Sequence, residues 1–147
     1  MAISIRALEE ADIEKLAGIE EKSFSRPWSA DAFRELLDID YARYLVAEDD
    51  GTVAGTAGMR VICGEGNIDN VVVDPDHRGK GIAQALISEL IKTGEREGIF
   101  DYTLEVRVSN APAIHVYEKA GFKSEGVRPG FYEDPKEDAL IMWRRGN

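Results

Sequence analysis

Arg78, Gly79, Lys80 and Gly81 stand between a β-branched run, Val71-Val72-Val73, and an apolar repeat of helical spacing that starts at Ile82. Asp74-Pro75 closes the first of these as a turn closes a buried strand. A helix leaves its first backbone N–H groups unpaired and carries partial positive charge at that end. Small residues and cations placed just before it therefore form a site for a phosphate-like anion. The same residues also suit a tight strand-to-helix connection that holds no ligand. Neither the G-x-x-x-x-G-K-S/T spacing of a nucleotide-triphosphate loop nor the G-x-G-x-x-G of a dinucleotide fingerprint is present. Downstream, Glu105, Asn110 and Tyr117 supply a carboxylate, an amide and a phenol. The first and last are groups able to exchange protons. Taken singly, the three equally suit a surface pair with Arg107, a helix cap and a core aromatic.

The elements that must position these residues can be followed along the chain. Ile3 and Ile5 alternate with polar neighbours as in a strand, and Asp12 opens a helix carrying Ile13, Leu16, Ala17 and Ile19 that ends near Ser23. Phe24 and Trp28 lie in the following turn, as wedges between two helices or as a wall of the substrate cleft, and Ser29 caps a helix bearing Phe33, Leu36 and Leu37. Tyr44–Ala47 and Thr52–Ile62 form a hairpin around Asp49-Asp50-Gly51, with Gly55 and Gly58 marking a bend in its second strand. The helix from Ile82 carries Leu86, Ile87, Leu90 and Ile91, with Gly94 as its expected terminator. Tyr102, Leu104, Val106 and Val108 give one face of a strand. Ser109-Asn110 then caps a helix that has Pro112 in its first turn and Gly121 at its end. Phe122 begins another strand, residues 131–135 form a loop or hairpin, and Ala139–Trp143 is a closing strand. The expected fold class is α/β (α+β): about six or seven strands, mixed and mostly antiparallel, flanked by about four helices in a single domain over residues 1–147.

Composition narrows the function classes. The 147 residues carry 18 Lys plus Arg against 28 Asp plus Glu, a net charge of -10, so most of the surface should repel nucleic acid and anionic membrane and attract a basic peptide. No basic leader with a long apolar run opens the chain, and no stretch approaches the roughly 18 apolar residues of a span; a cytoplasmic location is expected. Cys63 is the only cysteine and His77 and His115 the only histidines, which excludes an internal disulfide and makes a metal site unexpected. Cys63 also has no neighbour in sequence that would activate a thiol nucleophile.

The longer pattern is more specific. Arg78-Gly79-Lys80-Gly81-Ile82-Ala83 fits the Q/R-x-x-G-x-G/A loop of the GCN5-related N-acetyltransferases (GNAT), and a strand ending V-D-P precedes it as in that family. The string L-E-V-R-x-S-N from Leu104 and Y-E-x-x-G-F from Tyr117 resembles the second half of the same domain. With P-W-S near the front and E-D-A-L-I-M near the end, the resemblance runs over nearly the whole chain and is closest to the RimI-like branch, the ribosomal-protein-alanine N-acetyltransferases. It implies that acetyl-coenzyme A is the cosubstrate, with its pyrophosphate held by Arg78, Gly79, Lys80, Gly81, Ile82, Ala83 and Gln84. It further implies backbone contacts to the thioester from Val71, Val72 and Val73 on a splayed strand, and a cofactor contact from Asn110. Glu105 is the implied base and Tyr117 the implied acid. Tyr132 matches a loop tyrosine that holds the first atoms of a peptide acceptor, and Trp28 is the second candidate acceptor contact.

Proton energetics bear on the acceptor. At pH 7 an α-amine of pKa about 8 needs about 1.4 kcal/mol to lose its proton, and a lysine near 10.4 needs about 4.6 kcal/mol. A carboxylate base is therefore better matched to a protein N-terminus. The expected partner is the N-terminus of a basic ribosomal protein, probed against two alternatives: a small amine or lysine acceptor, and a non-catalytic acyl-coenzyme A sensor.

Overall fold

Alternation of apolar and polar residues lays down the strands, because successive side chains leave a strand on opposite faces. The computed structural model describes residues 2–146. It contains strands β1 (Ile3–Ala7), β2 (Ala42–Asp49), β3 (Thr52–Ile62), β4 (Glu65–Val73), β5 (Asp101–Arg107), β6 (Lys123–Tyr132) and β7 (Glu137–Arg144). The helices are α1 (Ile13–Ser23), α2 (Ala30–Leu36), α3 (Ile82–Arg96) and α4 (Ala111–Lys119), with single 3-10 turns at Glu10–Asp12 and Pro75–His77. All seven strands join one sheet in the order β1-β2-β3-β4-β5-β7-β6. Every neighbouring pair is antiparallel except β4 and β5. This is the mixed, mostly antiparallel sheet with four helices that the sequence implies.

The sheet has helices on both faces. Leu86, Ile87, Leu90 and Ile91 of α3 pack with Leu45, Ala47, Met59 and Leu104 on one face. Ile13, Leu16, Ile19, Phe33 and Leu36 of α1 and α2 pack with Tyr44, Val46 and Val72 on the other. Leu45 and Ala47 thus face α3 while their neighbours Tyr44 and Val46 face α1 and α2, as a period of two demands. Gly55 and Gly58 each border an irregularity of the β3 pairings, opposite Ala47/Glu48 and at Gly58/Met59. Gly58 also makes room for Tyr44, because a Cβ there would sit 2.2 Å from the ring.

Three local expectations are corrected or sharpened. Gly94 does not end α3; it is buried inside the helix, where a Cβ would meet the Tyr102 hydroxyl at 2.1 Å. The helix ends at Arg96 and is closed by Gly98 (φ +81°), whose N–H donates to Glu95 O while that of Ile99 donates to Gly94 O, a Schellman closure. Asp12 does open α1, as its N-cap residue, but without a side-chain capping bond. Its carboxylate accepts from the Glu9 N–H and takes both terminal nitrogens of Arg6, at 2.7 and 2.8 Å. Val108 lies beyond β5 and is exposed, and β6 begins at Lys123 with Phe122 buried just before it.

Candidate active site

The parallel pairing of β4 with β5 covers only Glu65–Asn67 against Asp101–Thr103. Beyond Asn67 the two strands diverge, so residues 68–73 have β3 on one side and no strand on the other. The β3–β4 register skips Asp69 (Gly58 pairs with Asn70 and Met59 with Ile68), and such a bulge increases local twist and bends the strand. Splaying leaves alternate backbone N–H groups of β4 available to a ligand.

Two cavities of about 670 and 610 Å³ open beside this splay and share Ser23, Phe24, Val71, Asn110 and Tyr117 in their walls. The smaller one is lined by Val71, Val72, Val73, Arg78, Gly79, Gly81, Ile82, Ala83 and Gln84. Gly79 (φ +81°) and Gly81 (φ +77°) adopt the left-handed conformation that L side chains rarely take, and a Cβ at either would meet no protein atom within 4 Å. Gly81 is the N-cap of α3, so the first N–H groups of a 15-residue helix border the same space. This glycine cradle, the helix end and Arg78 fit the pyrophosphate of a coenzyme A molecule.

Lys80 departs from the expectation. Its ammonium lies 2.6 Å from Asp49 Oδ2 and is absent from the cavity wall. His115 is exposed on α4 and also lines this cavity.

The larger cavity holds the proton-exchanging groups. Glu105 leaves β5 between the buried Leu104 and Val106, and its Oε2 pairs with Arg128 Nη2 at 3.2 Å, not with Arg107. Tyr117 is 7% exposed and meets Phe122 edge-on at 6.0 Å; burial, and then the neighbouring Tyr132, pushes its phenol well above the usual tyrosine range. Tyr132, the last residue of β6, is pushed up to about 12 by burial and then by the Glu105 charge. Asn110 accepts the Ala113 N–H at 3.3 Å as the cap of α4, and Pro112 sits in that first turn. It lines both cavities while doing so.

Trp28 lines neither cavity. It packs at a tilt against Phe33 at 5.3 Å and Tyr44 at 5.9 Å, so of its two expected places the structure gives it the wedge against the α1 and α2 core and not the acceptor wall. Phe24, four residues earlier, takes the place in the wall. Trp28 is fixed by its backbone N–H, which donates to the buried Glu20, and Glu20 also accepts from Asn70 of β4. Burial raises the Glu20 carboxyl above its ordinary range, against these two hydrogen bonds.

Other side chains of the site escape sequence reasoning. Arg107 donates to Pro135 O and Glu133 O at 2.8 and 2.9 Å, and its guanidinium lies 4.5 Å from the Tyr132 ring centroid. It holds the β6–β7 turn over the cavity. Across the rim, Arg26 pairs with Asp134 at 2.6 Å and Ser25 Oγ donates to Asp134 O at 2.6 Å, joining the α1–α2 loop to that turn. These partners are more than one hundred residues apart, and nothing local in the sequence signals them. Among the described residues, no group of three or more His, Cys, Asp or Glu side chains is arranged to hold a metal ion.

The sequence pattern of the acetyltransferase (GNAT) family matches residues 13–122. A Bacillus subtilis (strain 168) protein with the provisional name [ribosomal protein bS18]-alanine N-acetyltransferase is 38% identical over 141 residues, 95% of this chain and 93% of the relative. The [ribosomal protein bS18]-alanine N-acetyltransferase of Escherichia coli (strain K12) is 35% identical over 141 residues, 95% of each chain. The crystal structure of the ribosomal-protein-S18-alanine N-acetyltransferase from Escherichia coli superposes with a TM-score of 0.89 at 33% identity, over 98% of this chain and 94% of that one.

Proposed function

The chain belongs to the acetyltransferase (GNAT) family, enzymes that move acetyl from acetyl-coenzyme A to an amine, and we propose that its acceptor is the α-amine of a protein N-terminus, an alanine on a basic ribosomal protein. The observation that carries this reading is the meeting of the two cavities at Val71, Asn110 and Tyr117, with a phosphate cradle on one side and Glu105 and Tyr132 on the other. The likeness to the bS18-alanine enzymes over almost the full length of both chains supports the acceptor class. So does the charge of the larger cavity, where Asp69, Glu105, Glu133 and Asp134 outnumber Arg26 and Arg107.

Acetyl-coenzyme A, when bound, supplies an activated thioester. Arg78, the α3 N-terminus and the backbone of residues 79–84 hold its pyrophosphate. Unpaired N–H groups of Val71–Val73 polarise the carbonyl whose oxygen gains charge during attack. Glu105 takes a proton from the acceptor ammonium, directly or through a water, at a cost near 1.4 kcal/mol for an α-amine against about 4.6 kcal/mol for lysine at pH 7. Tyr117 keeps its proton throughout the working pH range because burial raises its phenol, so it serves as the donor to the departing sulfur. Tyr132 and the turn gripped by Arg107 border the space for the first residue of the acceptor.

The test compares an Ala-starting basic peptide with the same peptide N-terminally blocked but retaining its lysines, at low and high salt. The free peptide should be acetylated and the blocked one not, with the apparent affinity falling as salt screens the opposite charges. Comparable rates for the blocked peptide would mean lysine acetylation and end the N-terminal assignment.

A further inference from the structure

The carboxylate of Asp49, at the end of β2, is 3% exposed. Its Oδ2 takes the Lys80 ammonium at 2.6 Å and His77 Nδ1 at 2.8 Å, while its Oδ1 is buried with no hydrogen-bond partner. Burying a carboxylate beside an anion site is unfavourable on two counts, desolvation and repulsion of the ligand. Its presence there points to a compensating role, and its two partners locate one. His77 and Lys80 flank Arg78-Gly79, and Gly79 and Gly81 both hold left-handed conformations that glycine only visits among many others. A loop with that freedom would lose it on closing around a ligand. Asp49 is fixed in the sheet by its pairing with Ile3 and Thr52, so it ties the loop at two points to a rigid strand.

We propose that Asp49 is a positioning residue for cosubstrate binding: it pins His77 and Lys80 so that the loop 78–81 is already shaped for a pyrophosphate, and it withholds the Lys80 ammonium from the ligand. The inference rests on the assignment of that loop to the pyrophosphate. It reverses the role of Lys80, from ligand contact to internal strut, and leaves Arg78 and backbone N–H groups as the anion contacts.

The reversal gives a test of opposite sign. Asp49→Asn keeps the shape and removes the charge. If Asp49 shapes the loop, calorimetry should show acetyl-coenzyme A binding weakened by about tenfold, the factor that follows from freeing roughly one residue's backbone. KM for acetyl-coenzyme A should rise by the same factor while kcat at saturation is retained. Binding of S-acetylpantetheine, which has the same thioester arm and no pyrophosphate, should not change. Unchanged or tighter acetyl-coenzyme A binding, as a released Lys80 reaching the phosphates would give, overturns the proposal. Equal losses for both ligands overturn it too, since they mark a general folding defect. If the wild-type protein binds the two ligands equally, the pyrophosphate assignment itself falls and takes the proposal with it. Should Asp49→Asn fail to fold, Lys80→Met, at the exposed end of the pair, carries the test. It should weaken acetyl-coenzyme A binding with the salt dependence of the wild type, whereas a shallower dependence is the mark of a lost phosphate contact and refutes the strut.

Discussion

Replacing Glu105 by Gln tests the proposed proton acceptor with little change of volume. The carboxylate is 32% exposed and pairs with an Arg128 that is 55% exposed, so the lost pair is a solvent-screened one worth about 0–1 kcal/mol. For a domain of this size that moves Tm by at most about 4 °C. The kinetic consequence should be far larger. A positioned general base contributes about 10²–10⁴-fold, or roughly 3–5 kcal/mol of barrier, so stability and turnover effects separate cleanly. Without Glu105 only acceptor molecules already deprotonated can react. For an α-amine of pKa about 8 that fraction rises from roughly one-tenth at pH 7 to roughly nine-tenths at pH 9, and the deficit should shrink by up to about tenfold over that range. The assay is continuous detection of released coenzyme A thiol with an Ala-starting peptide from pH 6 to 9, alongside calorimetric acetyl-coenzyme A affinity, which should stay near wild type. Equal rates for variant and wild type would refute the base, and a large deficit that does not change with pH would mean that Glu105 orients the acceptor without taking its proton.

Gly81→Val places a β-branched residue at φ +77° and fills space next to the α3 N-terminus; acetyl-coenzyme A affinity by calorimetry should fall by more than about tenfold, and unchanged affinity in a folded variant removes the pyrophosphate assignment. Gly94→Ala would set a Cβ 2.1 Å from the Tyr102 hydroxyl, which donates to Ile99 O at 2.6 Å with Ile91 O 3.1 Å away, and overpacking of this kind should cost about 1–3 kcal/mol in denaturant unfolding. Arg6→Met leaves the Asp12 carboxylate, 4% exposed, without its bidentate partner and should destabilise the fold by about 3 kcal/mol at pH 7. The Asp12 carboxyl is held below its ordinary range by Arg6, so this contribution is present above the unfolded pKa of about 3.9 and is lost as pH falls through the lower folded value. Acid titrations of wild type and Arg6→Met should therefore begin to converge below about pH 4 and meet only once pH is below the lowered folded value, and a gap that stays constant as pH falls from about 4 contradicts the assignment.

What could be told from the sequence was whatever depends on near neighbours. Helical and alternating repeats placed the strands and helices, because burying one face of each is a local demand on spacing. The strings around Arg78–Ala83 and Leu104–Phe122 were legible for the same reason: a cradle before a helix, and a carboxylate, a cap and a phenol on consecutive elements, are each written in contiguous residues. Side-chain destinations were not. Lys80 read as a phosphate contact because nothing near it in the chain shows the buried Asp49, 31 residues earlier, that takes its ammonium. Trp28 stays open between helix wedge and cavity wall in the sequence because its partners Phe33 and Tyr44 come together only when α2 lies on the sheet. Gly94 looked like a helix end until β5 brought the Tyr102 hydroxyl against it. A surface pair of Glu105 with Arg107 is the alternative that near neighbours offer, whereas the strand order β5-β7-β6 delivers Arg128 to Glu105 and sends Arg107 to the turn beside Tyr132. A charged side chain takes the best partner that the assembled sheet offers, and only the tertiary pairing of distant strands determines which one that is.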